Sequence, residues 1–226
     1  VSISIRFDLQ KRSEINQQHL IVFTRYPEPG TTKTRLIPVL GKEGAASLQR
    51  QMTEHTLFQV KNLPTINSTS VEIRFAGGNL ELMQAWLGDG LSYQPQGEGD
   101  LGQRMQRSLL SALQNGAQQV VFIGIDCPGI NAEILTTAFN NLTHHDLVVG
   151  PAVDGGYYLI GLKQYVPELF ANIDWGTATV LQRTINIAQQ LNLSLMQLSL
   201  LADIDRPEDL PMWQSPDRSS HSDREL

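Results

Sequence analysis

Two short apolar runs, His19–Thr24 (HLIVFT) and Gln119–Ile125 (QVVFIGI), each stop at turn residues that carry chemistry. Runs of this length, bounded by turn signals, read as buried strands. Elsewhere the spacing of apolar residues changes to the helical period. Ala45, Leu48, Met52 and Val60 predict one helix from Glu43 to about Lys61, and Leu101, Met105, Leu109 and Ala112 predict another. A third is expected from Ala132 to Leu142 with Asn131 as its N-cap. Ser70–Ala76 alternates like a strand, Leu80, Met83 and Trp86 suggest a short helix, and Asp146–Gly150 and Tyr157–Leu162 read as further strands. A helix near Thr177–Gln190 and a strand near Leu193–Leu198 complete the pattern. Strands alternating with helices bury their faces in an α/β sandwich with a largely parallel sheet.

Ligands of such sheets sit where loops converge at the carboxyl ends of strands. That rule selects the loop after Thr24 and the loop after Ile125.

Composition narrows the partner class. The chain has 226 residues, 41% apolar and 18% charged, which suits one globular domain. Its expected organisation is an N-terminal extension over 1–18, a single domain over 19–213 and a polar, frayed tail over 214–226. The net charge of -6 argues against a nucleic-acid surface. Residues 1–50 nevertheless carry a balance of +4 against -10 for the rest, which suits a small anionic ligand. No apolar run reaches the length of a membrane span, and the first 18 residues do not read as a signal peptide. The single cysteine, Cys127, excludes an intramolecular disulfide and points to a reducing, cytoplasmic compartment.

Four segments carry candidate chemistry. Pro29–Leu36 (PGTTKTRL) follows the first strand directly, with Gly30 permitting close backbone approach to an anion and Lys33 and Arg35 adding charge. Thr24 and Arg25 at the strand end join them as phosphate-binding candidates. It is not a Walker A loop, since neither Gly30 nor Gly41 closes the required spacing. A polar surface loop would give the same string. Asp126, in Gly124-Ile125-Asp126-Cys127-Pro128, is a hard oxygen ligand for Mg²⁺ or Mn²⁺ at a strand end, or else a turn aspartate. Cys127 reads as a buried thiol.

Asp154-Gly155-Gly156-Tyr157 reads as a hairpin that also offers Asp154 toward the site. Asp203-Ile204-Asp205 places two carboxylates on one face of an extended segment, where they could share a cation. Asp205 is favoured as a metal ligand over a role in capping a helix at Pro207. Within Gly97–Met105 (GEGDLGQRM), Asp100 is a helix-cap candidate and is also carried as a nucleotide-site candidate.

In order, FTRYPEPGTTKTRL, GEGDLGQRM, FIGIDCPG, GPAVDGGYYLIGL and DIDRPEDL resemble the nucleotide-diphospho-sugar transferases of GT-A-like fold. The resemblance runs from about residue 21 to 210. It is closest to the bacterial branch DUF2064, also called selenodomain-associated transferase 1, some members of which are named arsenosugar-biosynthesis glycosyltransferases. It implies a Rossmann-like three-layer α/β/α sandwich with a mixed, mostly parallel sheet, a nucleotide bound across the N-terminal half, and a metal on Asp126.

One departure matters. Many GT-A enzymes carry a D-x-D metal motif, whereas Asp126-Cys127-Pro128 offers one carboxylate, so Asp205 or Asp203 is expected to supply the second ligand.

The expected activity is metal-dependent glycosyl transfer from a nucleotide-diphospho-sugar to a small-molecule acceptor. Lys33 and Arg35 would stabilise the leaving group and Asp154 would act as base. Gly155, Gly156 and Tyr157 would lie near the acceptor or sugar. The alternatives are a nucleotidyltransferase, guanylyltransferase-like, that releases pyrophosphate from an NTP, and a non-catalytic nucleotide-binding domain.

Overall fold

The computed structural model describes residues 17–213. The extension expected over 1–18 lies outside the described residues but for Gln17 and Gln18, and the polar tail over 214–226 lies outside them entirely.

Seven strands, β1 (Gln18–Arg25), β2 (Thr69–Ala76), β3 (Ser92–Pro95), β4 (Gln119–Ile123), β5 (Leu147–Pro151), β6 (Tyr157–Leu162) and β7 (Leu195–Gln197), form one sheet. Their order is β3-β2-β1-β4-β6-β5-β7. All pairings are parallel except those of β6, which runs antiparallel to both β4 and β5. The helices are α1 (Ile37–Lys61), α2 (Leu80–Leu87), α3 (Leu101–Gln114), α4 (Ala132–Leu142), α5 (Val180–Gln190) and the short α6 (Leu210–Trp213).

The period-two pattern of the central strands builds the layers. Leu20 and Val22 of β1, with Val121 and Ile123 of β4, face α1, α2 and α4. Ile21, Val120 and Phe122 point the other way, into α3 and α5. Residues alternating along a strand therefore feed two separate cores, and the result is the three-layer α/β/α sandwich. Among the described residues, no helix is long and apolar enough to cross a membrane.

Three departures from the sequence expectations have local causes. The strand β3 is short and polar, with only Tyr93 buried, so its sequence carries no apolar alternation; Pro95 is tolerated because β3 lies at the sheet edge. The helix expected from Glu43 is joined to a preceding turn across Gly41, whose φ of 71° breaks the helical path. Helix α5 begins at Val180 rather than near Thr177.

The β5–β6 connection is the expected hairpin. The Gly155 amide donates to the Ala152 carbonyl at 3.1 Å, and the Gly156 amide donates to Asp154 Oδ1 at 2.8 Å. Gly155 has φ +86°, and a Cβ there would lie 2.3 Å from the Ala178 carbonyl oxygen. Its own carbonyl accepts from the Leu181 amide at 2.9 Å, docking the start of α5 onto the hairpin. Glycine is required by both conformation and space.

Candidate active site

The loop after β1 is held by one carbonyl. Glu28 accepts from the Thr31 amide at 3.2 Å and from the Thr31 and Thr32 hydroxyls at 3.1 and 3.3 Å. This folds Gly30–Lys33 back toward the strand tips, with Thr32 buried. Lys33 then adopts a left-handed backbone, φ 47° and ψ 43°, which a non-glycine residue rarely takes. Such conformations persist where surrounding structure over-determines them, often at functional sites.

Two contacts do so here. The Lys33 ammonium lies 2.7 Å from Asp126 Oδ1 and donates to the Ile204 carbonyl. The lysine side chain is 4% exposed, the Asp126 side chain 56%. A buried cation thus holds an exposed carboxylate at the tip of β4, while the Ile204 amide donates to the Asp126 carbonyl at 2.8 Å. Two of the segments singled out in the sequence, residues 30–35 and 203–205, meet at the third.

Asp205 goes elsewhere. Its carboxylate pairs with the Arg35 guanidinium. The backbone amides of Asp205 and Arg206 donate to Asp209 Oδ2 at 3.1 and 2.8 Å, so Asp209, rather than Asp205, serves the turn that begins at Pro207. Asp203 is the carboxyl of this segment that senses the site. Burial pushes its pKa up, and the negative charges of Asp154 and Asp126 push in the same direction. Burial also pushes up the Cys127 thiol, and Asp126, Asp203 and Asp154 add to it. A buried protonated thiol is a packing group, as expected.

Among the described residues, no group of three or more His, Cys, Asp or Glu side chains gathers closely enough to hold a metal ion by itself. Magnesium commonly binds through one or two carboxylates, with waters and substrate phosphates completing its shell. The exposed Asp126 fits that mode, and the described residues hold no full protein cage.

Asp126 also lines a cleft of about 350 Å³, whose wall combines the polar Thr24, Arg25, Gln49, Gln96 and Arg104 with apolar residues such as Phe23, Phe122 and Ile160. The polar lining is tightly ordered. Thr24 and Thr53 hydroxyls lie 2.8 Å apart, and Gln49 Nε2 donates to the Thr24 hydroxyl at 3.2 Å. Gln96 Nε2 donates to the Thr24 carbonyl at 3.0 Å, while Arg104 donates to Gln96 Oε1 at 3.3 Å and through Nε to the Gly99 carbonyl at 2.8 Å. Arg25 reaches the Thr31 carbonyl at 3.3 Å.

Gln49, Gln96 and Arg104 were not singled out from the sequence. Gln96 and Arg104 flank a glycine-rich segment that hinted at a role, whereas Gln49 sits mid-helix with no local signal. Asp100 caps α3 in a reciprocal pair with Gln103, at 2.8 and 3.1 Å, and does not line the cleft. Its carboxylate is engaged in capping the helix.

The comparisons with known proteins agree with the fold. A crystal structure from Desulfovibrio desulfuricans G20, described as a candidate nucleotide-diphospho-sugar transferase, is 34% identical, with 92% of this chain and 90% of that one covered at a TM-score of 0.84. Rv0371c of Mycobacterium tuberculosis H37Rv, in a complex with manganese, is 13% identical over 86% of this chain and 97% of its own, at 0.54. The 4-diphosphocytidyl-2C-methyl-D-erythritol synthase of Anaerococcus prevotii DSM 20548 is 12% identical over 88% and 95%, at 0.57. Likeness at those last two levels shows the fold alone. A comparison with curated proteins finds no match. Residues 59–177 match the family described as uncharacterised proteins conserved in bacteria, and with the D. desulfuricans relative this shows that the chain belongs to the DUF2064 family.

Proposed function

We propose that the protein is a metal-dependent transferase that uses a nucleotide-diphospho-sugar as donor and a small molecule as acceptor. The observation that carries this reading is the Lys33–Asp126 clamp, whose carboxylate lines the cleft. A cation and a metal-binding carboxylate stand together where phosphates would be bound. Sequence kinship to the D. desulfuricans protein supports the donor class.

Asp126 would hold a Mg²⁺ or Mn²⁺ ion jointly with the donor's phosphates. When bound, that ion neutralises charge on the departing nucleoside diphosphate. Lys33 contributes to the same end from a fixed position, since its ammonium is already ordered and shielded from water; electrostatic stabilisation by preorganised groups is commonly the largest catalytic term. Arg35, 64% exposed and paired with Asp205, can exchange that carboxylate for a phosphate at little cost, because exposed pairs contribute about 1 kcal/mol or less. Asp154, at the exposed hairpin tip with Oδ1 on the Gly156 amide, is the proposed base for the acceptor hydroxyl.

A nucleotidyltransferase reading draws on one specific feature. Pro128 stands where the second carboxylate of a D-x-D motif would, so the motif presents the single carboxylate Asp126. The same clamp would then grip the phosphates of an NTP.

One panel separates the two. With Mn²⁺ present, UDP- and GDP-sugars are expected to raise the melting temperature and NTPs to leave it unchanged. Release of pyrophosphate from GTP in the presence of candidate acceptors would overturn the glycosyl reading in favour of the second.

A further inference from the structure

Three of the described residues that line the cleft are charged: Arg25, Arg104 and Asp126. Asp126 is already matched by the Lys33 ammonium. Neither arginine, among the described residues, forms an ion pair with an acid. Asp100 stands one turn before Arg104, but its carboxylate accepts from the Gln103 amide as the cap of α3. The partners that the two guanidiniums do have are neutral. Arg25 donates from Nη1 to the Thr31 carbonyl, and Arg104 donates from Nε to the Gly99 carbonyl and from Nη1 to Gln96 Oε1. Oxygens of this kind satisfy single N–H groups and leave the positive charge uncompensated.

Holding the neighbouring loop does not account for that charge. Arg107 already pins the glycine-rich segment, with Nη2 on the Gln96 and Glu98 carbonyls, and it does not line the cleft. Arg104 is a second arginine on the same segment, one turn earlier in α3, and it does line the cleft. Its two bonds fix the plane of the guanidinium and leave the Nη2 donors open. Arg25 keeps its Nε and Nη2 edge, the fork that matches two oxygens of a carboxylate or phosphate. Gln96 couples the pair, since its amide donates to the Thr24 carbonyl, next to Arg25, and accepts from Arg104. Phe23, Phe122 and Met105 add apolar wall to the same cleft. Charge of one sign within low-dielectric walls concentrates ligands of the other.

We infer that Arg25 and Arg104 form an anion subsite, distinct from the Lys33–Asp126 pair, that holds a carboxylate or phosphate group of the acceptor. The acceptor is then a small hydroxylated anion, its charge on the two guanidiniums and its hydroxyl toward Asp126. Its assignment to the acceptor rests on the donor reading above, in which the donor's phosphates take Lys33 and Asp126.

Three matched probes test it by ligand-observed NMR on the full chain in metal-free buffer: glycerol, glycerate and glycerol 3-phosphate. At least one of the two anions is expected to bind about tenfold more tightly than glycerol, the scale of a charge-assisted hydrogen bond. The tighter anion identifies the group as carboxylate or phosphate. Arg104→Gln should remove most of that preference and leave the melting temperature close to wild type, because Arg107 still holds the loop. Arg104→Lys, which keeps the charge, should recover part of it. Arg25→Gln, on a different element, should weaken the anion independently. UDP with Mn²⁺ should bind wild type and Arg104→Gln alike and leave the anion in place. Equal binding of all three probes, or an anion preference that survives both glutamine substitutions, would overturn the inference. So would displacement of the anion by UDP, or loss of UDP affinity in Arg104→Gln, since the charge would then serve the donor. Failure of UDP to bind at all, with the anion preference and its dependence on Arg104 intact, would count against the donor reading and leave the subsite standing.

Discussion

At the scale of single residues, Lys33 concentrates the case. Its ammonium is buried, its backbone is left-handed, and its two contacts come from segments 93 and 171 positions away in the chain. The partner carboxylate of Asp126 is solvated, so the loss of Lys33 does not strand a buried charge. Lys33→Met is therefore expected to cost only about 1 kcal/mol of stability, the scale of one hydrogen bond. It should weaken binding of UDP with Mn²⁺ by about tenfold or more, since about 1.4 kcal/mol separates each decade of affinity. Calorimetry and thermal melting read both effects. Unfolding of the variant, or unchanged UDP affinity, would make Lys33 a structural residue. The presence of Lys33 in a basic loop was visible in the sequence. Its union with Asp126 was not, because no local pattern records which distant carboxylate a lysine will reach.

At the scale of elements, β1 and β2 share a polar cluster outside the site. Glu72 forms an ion pair with Arg74 on its own strand and faces His19 Nε2 at 3.4 Å across the pair, all three side chains being largely buried. Burial works to raise the Glu72 pKa, but the hydrogen bond from His19 and the charge of Arg74 outweigh it, and the net shift is downward from 4.5. A carboxylate with a depressed folded pKa stabilises the fold above its unfolded value, and that contribution is lost as the pH falls through the folded one. Glu72→Gln should accordingly lower stability at neutral pH, on the order of 3 kcal/mol for breaking a buried pair. The difference in melting temperature from wild type should shrink as the pH drops below about 4.5. A gap constant from pH 7 to 3 would contradict this account. The helices were legible from their periodicity and caps: Asn131 caps α4 through a 2.9 Å bond to the Ile134 amide, as its position before the apolar run suggested. The strand β3 was not legible, because pairing with β2 defines it and its own residues scarcely do.

At the scale of the whole molecule, the sheet order brings the tips of β1 and β4 together and turns residues 30–35, 126 and 203–205 toward one place. The metal role proposed for Asp126 has a consequence at this scale. Among the described residues no group of three or more ligating side chains gathers, and the ligand-free fold is expected to stand without an ion. UDP at a hundred times its dissociation constant, with Mn²⁺, should add about 2.7 kcal/mol of stability. EDTA should remove that gain and leave the melting temperature of the ligand-free protein unchanged. A drop in the ligand-free value on chelation would instead reveal a structural metal.

By itself, the sequence determined the α/β class, the two strand ends at which the candidate site lies, the hairpin at Asp154-Gly155 and the burial of Cys127. These follow from short-range physics: hydrophobic period, turn conformation and burial. Only the tertiary structure decided how the carboxylates divide their roles. Asp203 and Asp205 stand two residues apart, yet one shares its field with Asp126 and Asp154 while the other is held by Arg35. Electrostatic interaction depends on distance through space, and the folding of the chain across the sheet sets that distance.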